Sequence, residues 1–340
     1  MWFGSVVDRW DEEAASIDDA HKRDEVFELG ATLAFPDLPE TADAEIMGEV
    51  ARAKSRNTHA FYAVHGRPSS PIVCNDGWLT FESEIETEDA ANNLAGAFIL
   101  EGGRSEAVLL IPHWNAPQEP YLKLAARMHR LGYAASVLTL PYHHQRRRAE
   151  GNIADYFVSA NLGRTIRAVR QAVSDARRIV DWLEGRGYRR IHVIGASLGS
   201  CIAGLVGAVD ARICSTILLL TAGQFADVVW TGRATRHIAT ALRGAVTLDQ
   251  LRQIWSIISL EPIIDLYSRP DHRLLIVSAR RDKVVLPRLT ADFVAKLRAA
   301  GAPASHTSLP CGHYSIGMLP FSLIATARIL WFMRQASAGG

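Results

Sequence analysis

Short, almost entirely apolar runs alternate along most of the chain with longer segments whose apolar residues recur every three or four positions. The continuous apolar runs are typical of strands buried on both faces of a sheet. They cover residues 107–111, 134–140, 191–194, 213–220 and 274–278. The segment at residues 166–183 carries one unbroken apolar stripe, which predicts a long amphipathic helix. This alternation predicts an α/β fold with a mostly parallel central sheet flanked by helices.

The same pattern continues on both sides of this central region. Residues 79–86 alternate apolar and acidic positions, and with residues 94–101 they predict antiparallel edge strands. A further strand is predicted at residues 304–308. Helices are predicted at about residues 120–132, 201–208, 287–299 and 320–333.

Two parts of the chain depart from the alternation. Before residue 76, charged helical stretches at residues 18–29 and 42–54 precede a loop-like run at residues 66–71. We therefore interpret residues 1–75 as an N-terminal helical extension and residues 76–340 as a single α/β domain. Within that domain, residues from about 222 to 270 contain only helical segments. An insertion there leaves the sheet at the carboxyl ends of its strands, where ligands bind, so it is a candidate lid; a purely structural helical excursion is the alternative.

The overall charge and the cysteines narrow the class of protein. A formal net charge of +1 provides no field that would gather nucleic acid or an anionic membrane, so neither is expected as a partner. The four cysteines lie far apart without a CxxC or zinc spacing, and the N-terminal residues contain early charges that a secretory signal would not tolerate. These features predict a cytoplasmic protein. No HExxH motif or glycine-rich phosphate loop is present, which predicts no metal and no cofactor.

One short motif joins a predicted strand to a predicted helix. It reads GASLG over residues 195–199, with Ser197 at its centre. A sharp strand-to-helix turn raises the central hydroxyl above the sheet, and its flanking glycines avoid collisions that side chains would cause. Ser197 is therefore the candidate nucleophile; a plain turn with a helix-capping serine is the alternative.

A serine hydroxyl needs a base within hydrogen-bond reach and a carboxylate that orients the base. His313 follows the last predicted strand, with a glycine before it, and is the candidate base. Asp282 follows the strand at residues 274–278 and is the candidate acid, whereas Asp265 and Asp271 precede that strand and would lie at its opposite end. The alternative for His313 is an unrelated surface histidine, and the alternative for Asp282 is a solvated turn.

The negative charge that develops during acyl transfer needs backbone N–H donors placed in advance. Leu198, directly after the nucleophile, is the first candidate donor. The second is expected in the loop after residues 107–111, from Trp114 or Asn115, and the sequence does not choose between them. Five candidate substrate contacts accompany these motifs: His113 and Tyr314 beside them, and Trp230, Arg233 and His237 in the candidate lid.

Taken in order, the motifs PHWN at residues 112–115, GASLG, RD at residues 281–282 and CGHY at residues 311–314 resemble the α/β-hydrolase superfamily. The resemblance covers roughly residues 79–334. The segment LPYHH at residues 140–144 resembles the branch that contains dienelactone hydrolase and prolyl-oligopeptidase-like proteins. The tryptophan in PHWN stands where many relatives have glycine, which implies a narrower pocket, and a serine replaces the cysteine nucleophile of dienelactone hydrolase itself.

Together, the residues and the resemblance predict a serine hydrolase that cleaves a carboxylic ester of a small molecule through an acyl-enzyme on Ser197. Amide or thioester hydrolysis, acyl transfer and carbon–carbon cleavage would use the same residues, because the triad does not encode the leaving group. A ligand-binding protein of the same fold without turnover is a further alternative. We favour packing of the helix at residues 166–183 on the sheet over an oligomer contact, which leaves a homo-oligomer as an open alternative.

Overall fold

The computed structural model describes residues 2–63, 71–148 and 154–338. In these residues nine strands form one sheet in the order β1-β2-β3-β5-β4-β6-β7-β8-β9. The strands are β1 (Val73–Asn75), β2 (Trp78–Glu82), β3 (Leu94–Leu100), β4 (Glu106–Ile111), β5 (Ala134–Thr139), β6 (Arg190–Ala196), β7 (Ile213–Leu219), β8 (Arg273–Ala279) and β9 (Ala304–Leu309). Strands β5, β4, β6, β7, β8 and β9 pair in parallel. The pairings of β1 with β2, of β2 with β3 and of β3 with β5 are antiparallel. The predicted α/β class is confirmed.

Helices connect the parallel strands and cover the sheet. They are α1 (Trp2–Asp19), α2 (Ala31–Ala34), α3 (Ala44–Ser55), α4 (Thr58–Phe61), α5 (Ala90–Asn93), α6 (Gln118–Arg130), α7 (Leu162–Gly185), α8 (Leu198–Val209), α9 (Phe225–Thr231), α10 (Arg236–Arg243), α11 (Leu248–Ile254), α12 (Pro287–Ala299) and α13 (Phe321–Ala338). Short 3-10 segments cover residues 144–146, 233–235, 255–258, 261–267 and 315–317.

Both faces of the sheet are buried, which explains the continuous apolar runs of its central strands. Along β4, Leu109 packs into a core shared with α7, α8 and α12, whereas Val108 and Leu110 pack into a second core shared with α6 and α13. Val7 of α1 belongs to this second core. The N-terminal helix is therefore packed directly on the sheet domain.

The N-terminal part of the chain differs from the prediction in one respect. The helix predicted at residues 18–29 is wrong, because α1 ends at Asp19 and residues 20–30 contain no helix. The chain instead runs beside residues 159–163, where the N–H of Glu28 donates to the carbonyl of Ala160 and the N–H of Leu162 donates to the carbonyl of Glu28. The predicted loop at residues 66–71 lies outside the described residues, apart from Pro71.

Strand pairing also departs from the prediction at one end of the sheet. The antiparallel pairing of β2 and β3 is as expected, but β3 lies between β2 and β5, and the edge is formed by the three-residue β1. This short strand falls within residues 1–75, so the sheet begins slightly before residue 76.

The helical segments that follow β7 leave the sheet at the carboxyl ends of its parallel strands. They pack against the N-terminal part of the chain: α3 contacts α11 and the 3-10 segment at residues 255–258, and the hydroxyl of Tyr62 donates to the carbonyl of Ile257 at 2.9 Å. Movement of these segments as a lid stays a prediction. Among the described residues, no helix has the length and apolar character needed to cross a membrane.

Candidate active site

Ser197 occupies a strained turn between β6 and α8. Its backbone has φ +52° and ψ −119°, a conformation that non-glycine residues rarely adopt. A Cβ on Gly195 would lie 2.0 Å from the carbonyl oxygen of Gly199, and a Cβ on Gly199 would lie 2.2 Å from that of Ile111. Glycine at both positions therefore lets the turn close and lets α8 begin directly against the end of β4.

Three side chains from distant parts of the sequence meet at this turn. Nε2 of His313 lies 3.0 Å from Oγ of Ser197, and Nδ1 of His313 lies 2.8 Å from Oδ2 of Asp282. Because an ionised carboxylate only accepts hydrogen bonds, Nδ1 carries the ring proton, and Nε2 accepts from the serine hydroxyl. The arrangement can pass a proton from the serine to the histidine.

The carboxylate of Asp282 is itself held in place. Oδ1 accepts the backbone N–H groups of Val284 and Val285, both at 2.8 Å, and the residue is only 4% exposed. Both N–H groups belong to the loop that follows β8. The orientation of the acid is therefore fixed by its own loop, which in turn fixes the orientation of the imidazole.

The two candidate donors in the loop after β4 differ in whether their N–H is already hydrogen-bonded. The N–H of Asn115 already donates to Nε2 of His143 at 3.0 Å, so the prediction of Asn115 as the second oxyanion donor does not fit this structure. For the N–H of Trp114, and for that of Leu198 at the first position of α8, no acceptor is present among the described residues. Leu198 and Trp114 therefore stay the predicted donor pair.

Side-chain hydrogen bonds fix this loop, and the sequence pattern alone did not identify them. Nδ1 of His143 donates to the carbonyl of Pro141 at 2.8 Å, which leaves Nε2 to accept from Asn115. Burial lowers the pKa of His143 to about 3, so the ring stays neutral. The indole N–H of Trp114 donates to the carbonyl of Ala154, whose N–H donates to Oδ1 of Asn115. The one sequence signal for His143 was the LPYHH segment, where it follows β5.

Both the backbone and the ring of His113 bond to Tyr121. The hydroxyl of Tyr121 accepts the backbone N–H of His113 at 3.1 Å and lies 2.9 Å from its Nδ1. Burial, followed by the nearby charge of His313, lowers the pKa of His113 to about 4. Its role as a substrate contact stays a prediction.

The other predicted substrate contacts occupy different environments. The ring of His237 stacks on that of Trp114, with centroids 6.4 Å apart, and burial lowers the pKa of His237 to about 4. His237 also lines a cavity of about 260 Å³. The hydroxyl of Tyr314 donates to Asp18 at 3.2 Å. Trp230 carries the guanidinium of Arg243 over its ring, at 5.6 Å.

For Arg233 the structure shows a different role from the predicted one. Its guanidinium is paired with two carboxylates of α1, Glu12 at 2.5 Å and Asp19 at 3.3 Å. These ion pairs join α1 to the segment after α9, so the guanidinium is not available to a substrate as the sequence suggested. Among the described residues, no group of three histidine, cysteine or acidic side chains could hold a metal ion.

Solved structures share this architecture. An acetyl xylan esterase from Paenibacillus sp. R4 aligns over 88% of this chain and 98% of its own, with 16% identity and a TM-score of 0.58. The chain has the α/β-hydrolase fold. An esterase from Pyrococcus furiosus aligns over 80% of this chain and 99% of its own, with 16% identity and a TM-score of 0.50. A predicted dienelactone hydrolase from Klebsiella pneumoniae aligns over 76% and 100%, with 13% identity and a TM-score of 0.51. No protein-family model and no curated sequence matches the chain.

Proposed function

We propose that the protein is a serine hydrolase that cleaves carboxylic esters of small molecules through an acyl-enzyme on Ser197. The observation that carries the proposal is the continuous hydrogen-bonded chain from Ser197 through His313 to Asp282, at 3.0 Å and 2.8 Å. A protein that only binds a ligand has no need for all three groups in this arrangement, nor for the strained backbone of the serine.

The geometry supports a two-stage reaction. Oγ of Ser197 attacks the ester carbonyl carbon while Nε2 of His313 takes its proton, and the N–H groups of Leu198 and Trp114 stabilise the resulting oxyanion. The carbon–oxygen bond to the alcohol then breaks, and the alcohol leaves with the proton from Nε2. A water molecule attacks the acyl-enzyme, gives its proton to Nε2 and releases the acid as the proton returns to Oγ. Asp282 stays ionised throughout and stabilises the imidazolium.

The loop after β4 supports a preference for small acyl groups. The indole of Trp114 is held by its hydrogen bond to Ala154 at 2.9 Å and by stacking on His237, so it cannot swing away easily. A bulky ring fixed beside the proposed oxyanion donors narrows the space for the acyl chain. We therefore propose that acetyl and propionyl esters react faster than esters of eight or more carbons.

A panel of p-nitrophenyl esters with acyl chains of two to twelve carbons tests this function. We expect turnover that falls with chain length, and a loss of about 10³-fold or more in Ser197→Ala and His313→Ala, whose folding is checked by circular dichroism. Turnover that is equal in Ser197→Ala would refute the assignment. An acyl-enzyme that forms but reacts only with added alcohols or amines would instead favour the acyltransferase alternative.

We retain the cytoplasm as the proposed location. The support is the state of the four cysteines: Cys74, Cys201, Cys214 and Cys311 are all unpaired, as is usual in a reducing compartment. Fractionation of expressing cells tests this, and recovery of the protein in a secreted or membrane fraction would contradict it.

A further inference from the structure

A carboxylate lies in the middle of the buried face of α1. Val7, Asp11 and Ala15 are spaced by four residues and form one stripe of the helix, and they are 0%, 7% and 2% exposed. Burial of an ionised carboxylate between two apolar positions is costly unless strong hydrogen-bond donors compensate it.

The donors that face Asp11 belong to the two residues that directly follow the proposed catalytic base. Oδ1 of Asp11 accepts the backbone N–H of Tyr314 at 2.7 Å, and Oδ2 accepts the hydroxyl of Ser315 at 2.5 Å. The oxygen of that hydroxyl accepts the N–H of Gly312 at 2.8 Å. Asp11 thus holds the residue after His313 directly and the residue before it through Ser315.

Gly312 makes this close approach possible. A Cβ at this position would lie 2.2 Å from Oδ2 of Asp11, well inside contact distance. The glycine before His313 therefore leaves room for the carboxylate.

The same helix also reaches the loop of the proposed catalytic acid. Asp8, one turn before Asp11, pairs with Arg281 at 2.5 Å, and Arg281 directly precedes Asp282. The side chains of Asp8 and Arg281 are each about 40% exposed, whereas Asp11 is buried. Asp282 itself is held by the N–H groups of Val284 and Val285 in its own loop, so we expect the exposed Asp8–Arg281 pair to contribute little to the position of the acid.

We propose that Asp11 is a positioning residue for His313. It holds residues 312–315 so that the imidazole stays within hydrogen-bond distance of Ser197 and Asp282 at once. The inference rests on the proposed serine-hydrolase function, and it makes the N-terminal helix part of the catalytic apparatus. Asp11 does not touch substrate in this scheme, so its loss should reduce the rate of the chemical step and leave substrate binding largely intact.

The test compares Asp11→Ala, Asp11→Asn and Ser315→Ala with the matched control Asp8→Asn, which removes an exposed ion pair of the same helix. For each variant, kcat and KM for p-nitrophenyl acetate, the rate of labelling by a fluorophosphonate and the thermal midpoint are measured. We expect kcat and the labelling rate of Asp11→Ala to fall about 10- to 100-fold, as for a small misplacement of a catalytic group, with KM within about two-fold of wild type. Asp11→Asn should recover part of the loss because its amide oxygen can still accept the N–H of Tyr314.

The control separates positioning from general stability. Asp8→Asn should lower the thermal midpoint slightly and leave kcat within about two-fold of wild type, since exposed ion pairs contribute little. Wild-type kcat in folded Asp11→Ala, or equal losses of kcat in Asp8→Asn and Asp11→Asn, would overturn the inference. If Asp11→Ala does not fold, wild-type kcat in both Asp11→Asn and Ser315→Ala overturns it. Wild-type protein that neither turns over ester nor reacts with the probe would instead refute the proposed function itself.

Discussion

Replacing His143 by alanine should slow ester hydrolysis although this residue contacts neither the substrate nor the triad in our scheme. His143 is 3% exposed, and its imidazole links the carbonyl of Pro141 to the N–H of Asn115. Alanine has no ring, so the carbonyl of Pro141 and the N–H of Asn115 both lose their hydrogen-bond partner. The lost bond at Asn115 lies directly after Trp114, the proposed oxyanion donor.

The size of the effect follows from these contacts. A buried N–H left without an acceptor costs about 1–3 kcal/mol, which the loop can avoid by turning the Asn115 peptide toward water. Such a turn displaces the neighbouring N–H of Trp114. Complete loss of one oxyanion donor costs about 10²- to 10³-fold in kcat, so a partial displacement should cost about 10- to 100-fold. The thermal midpoint should also fall, because a cavity replaces the ring.

Steady-state kinetics with p-nitrophenyl acetate measure this effect. His129→Ala, which removes an exposed imidazole of α6, is the matched control and should retain wild-type kcat. Added imidazole should restore part of the activity of His143→Ala by refilling the cavity. A folded His143→Ala variant with wild-type kcat would refute the idea that His143 organises the oxyanion loop.

Three further predictions concern the acid, the turn and the pH dependence of stability. Asp282→Asn should lower kcat by about 10⁴-fold with little change in KM, because an amide no longer stabilises the correct tautomer of His313; a loss below ten-fold would contradict this. Gly199→Ala should fail to fold or lower the thermal midpoint strongly, because its Cβ would lie 2.2 Å from a backbone oxygen that cannot move aside; a wild-type midpoint would contradict the packing at the turn. Burial lowers the pKa of His192 to about 4 from 6.5, so the neutral ring stabilises the fold above pH 6.5 and this contribution is lost as the pH falls toward 4. His192→Gln should therefore reduce the slope of unfolding free energy against pH by about 1 kcal/mol per unit near pH 5, measured by urea titration; an unchanged slope would contradict it.

The order of strands and helices could be predicted because each depends on local patterns. The strands of the central sheet are buried on both faces, so their apolar runs are unbroken, and the GASLG turn is determined by contacts within a few residues of Ser197. Asp282 and His313 were also predictable, since the carboxyl ends of parallel strands meet at one edge of the sheet.

The N-terminal helix was not predictable in the same way. Asp11 interrupts the apolar stripe of α1, and its compensating donors lie about 300 positions away, at residues 314 and 315. Residues 18–29 have an equally helical composition, yet they contact residues 159–163 instead. In both cases tertiary contacts override the local pattern.

For a related reason, the sequence did not determine which of Trp114 and Asn115 is the second donor. It also did not determine the role of Arg233. Which backbone N–H is available depends on His143, 28 positions further along the chain. Whether Arg233 is available to a substrate depends on the carboxylates of α1. No periodicity in the sequence reports such pairings.

The central claim is that His313 activates Ser197 as a nucleophile. Its most direct test is the mass of the intact protein and of its peptides after reaction with a fluorophosphonate. The account predicts one adduct, located on Ser197, which does not form in Ser197→Ala and forms at least about 10³-fold more slowly in His313→Ala. A folded wild-type protein without an adduct, or one labelled equally in Ser197→Ala, would contradict it.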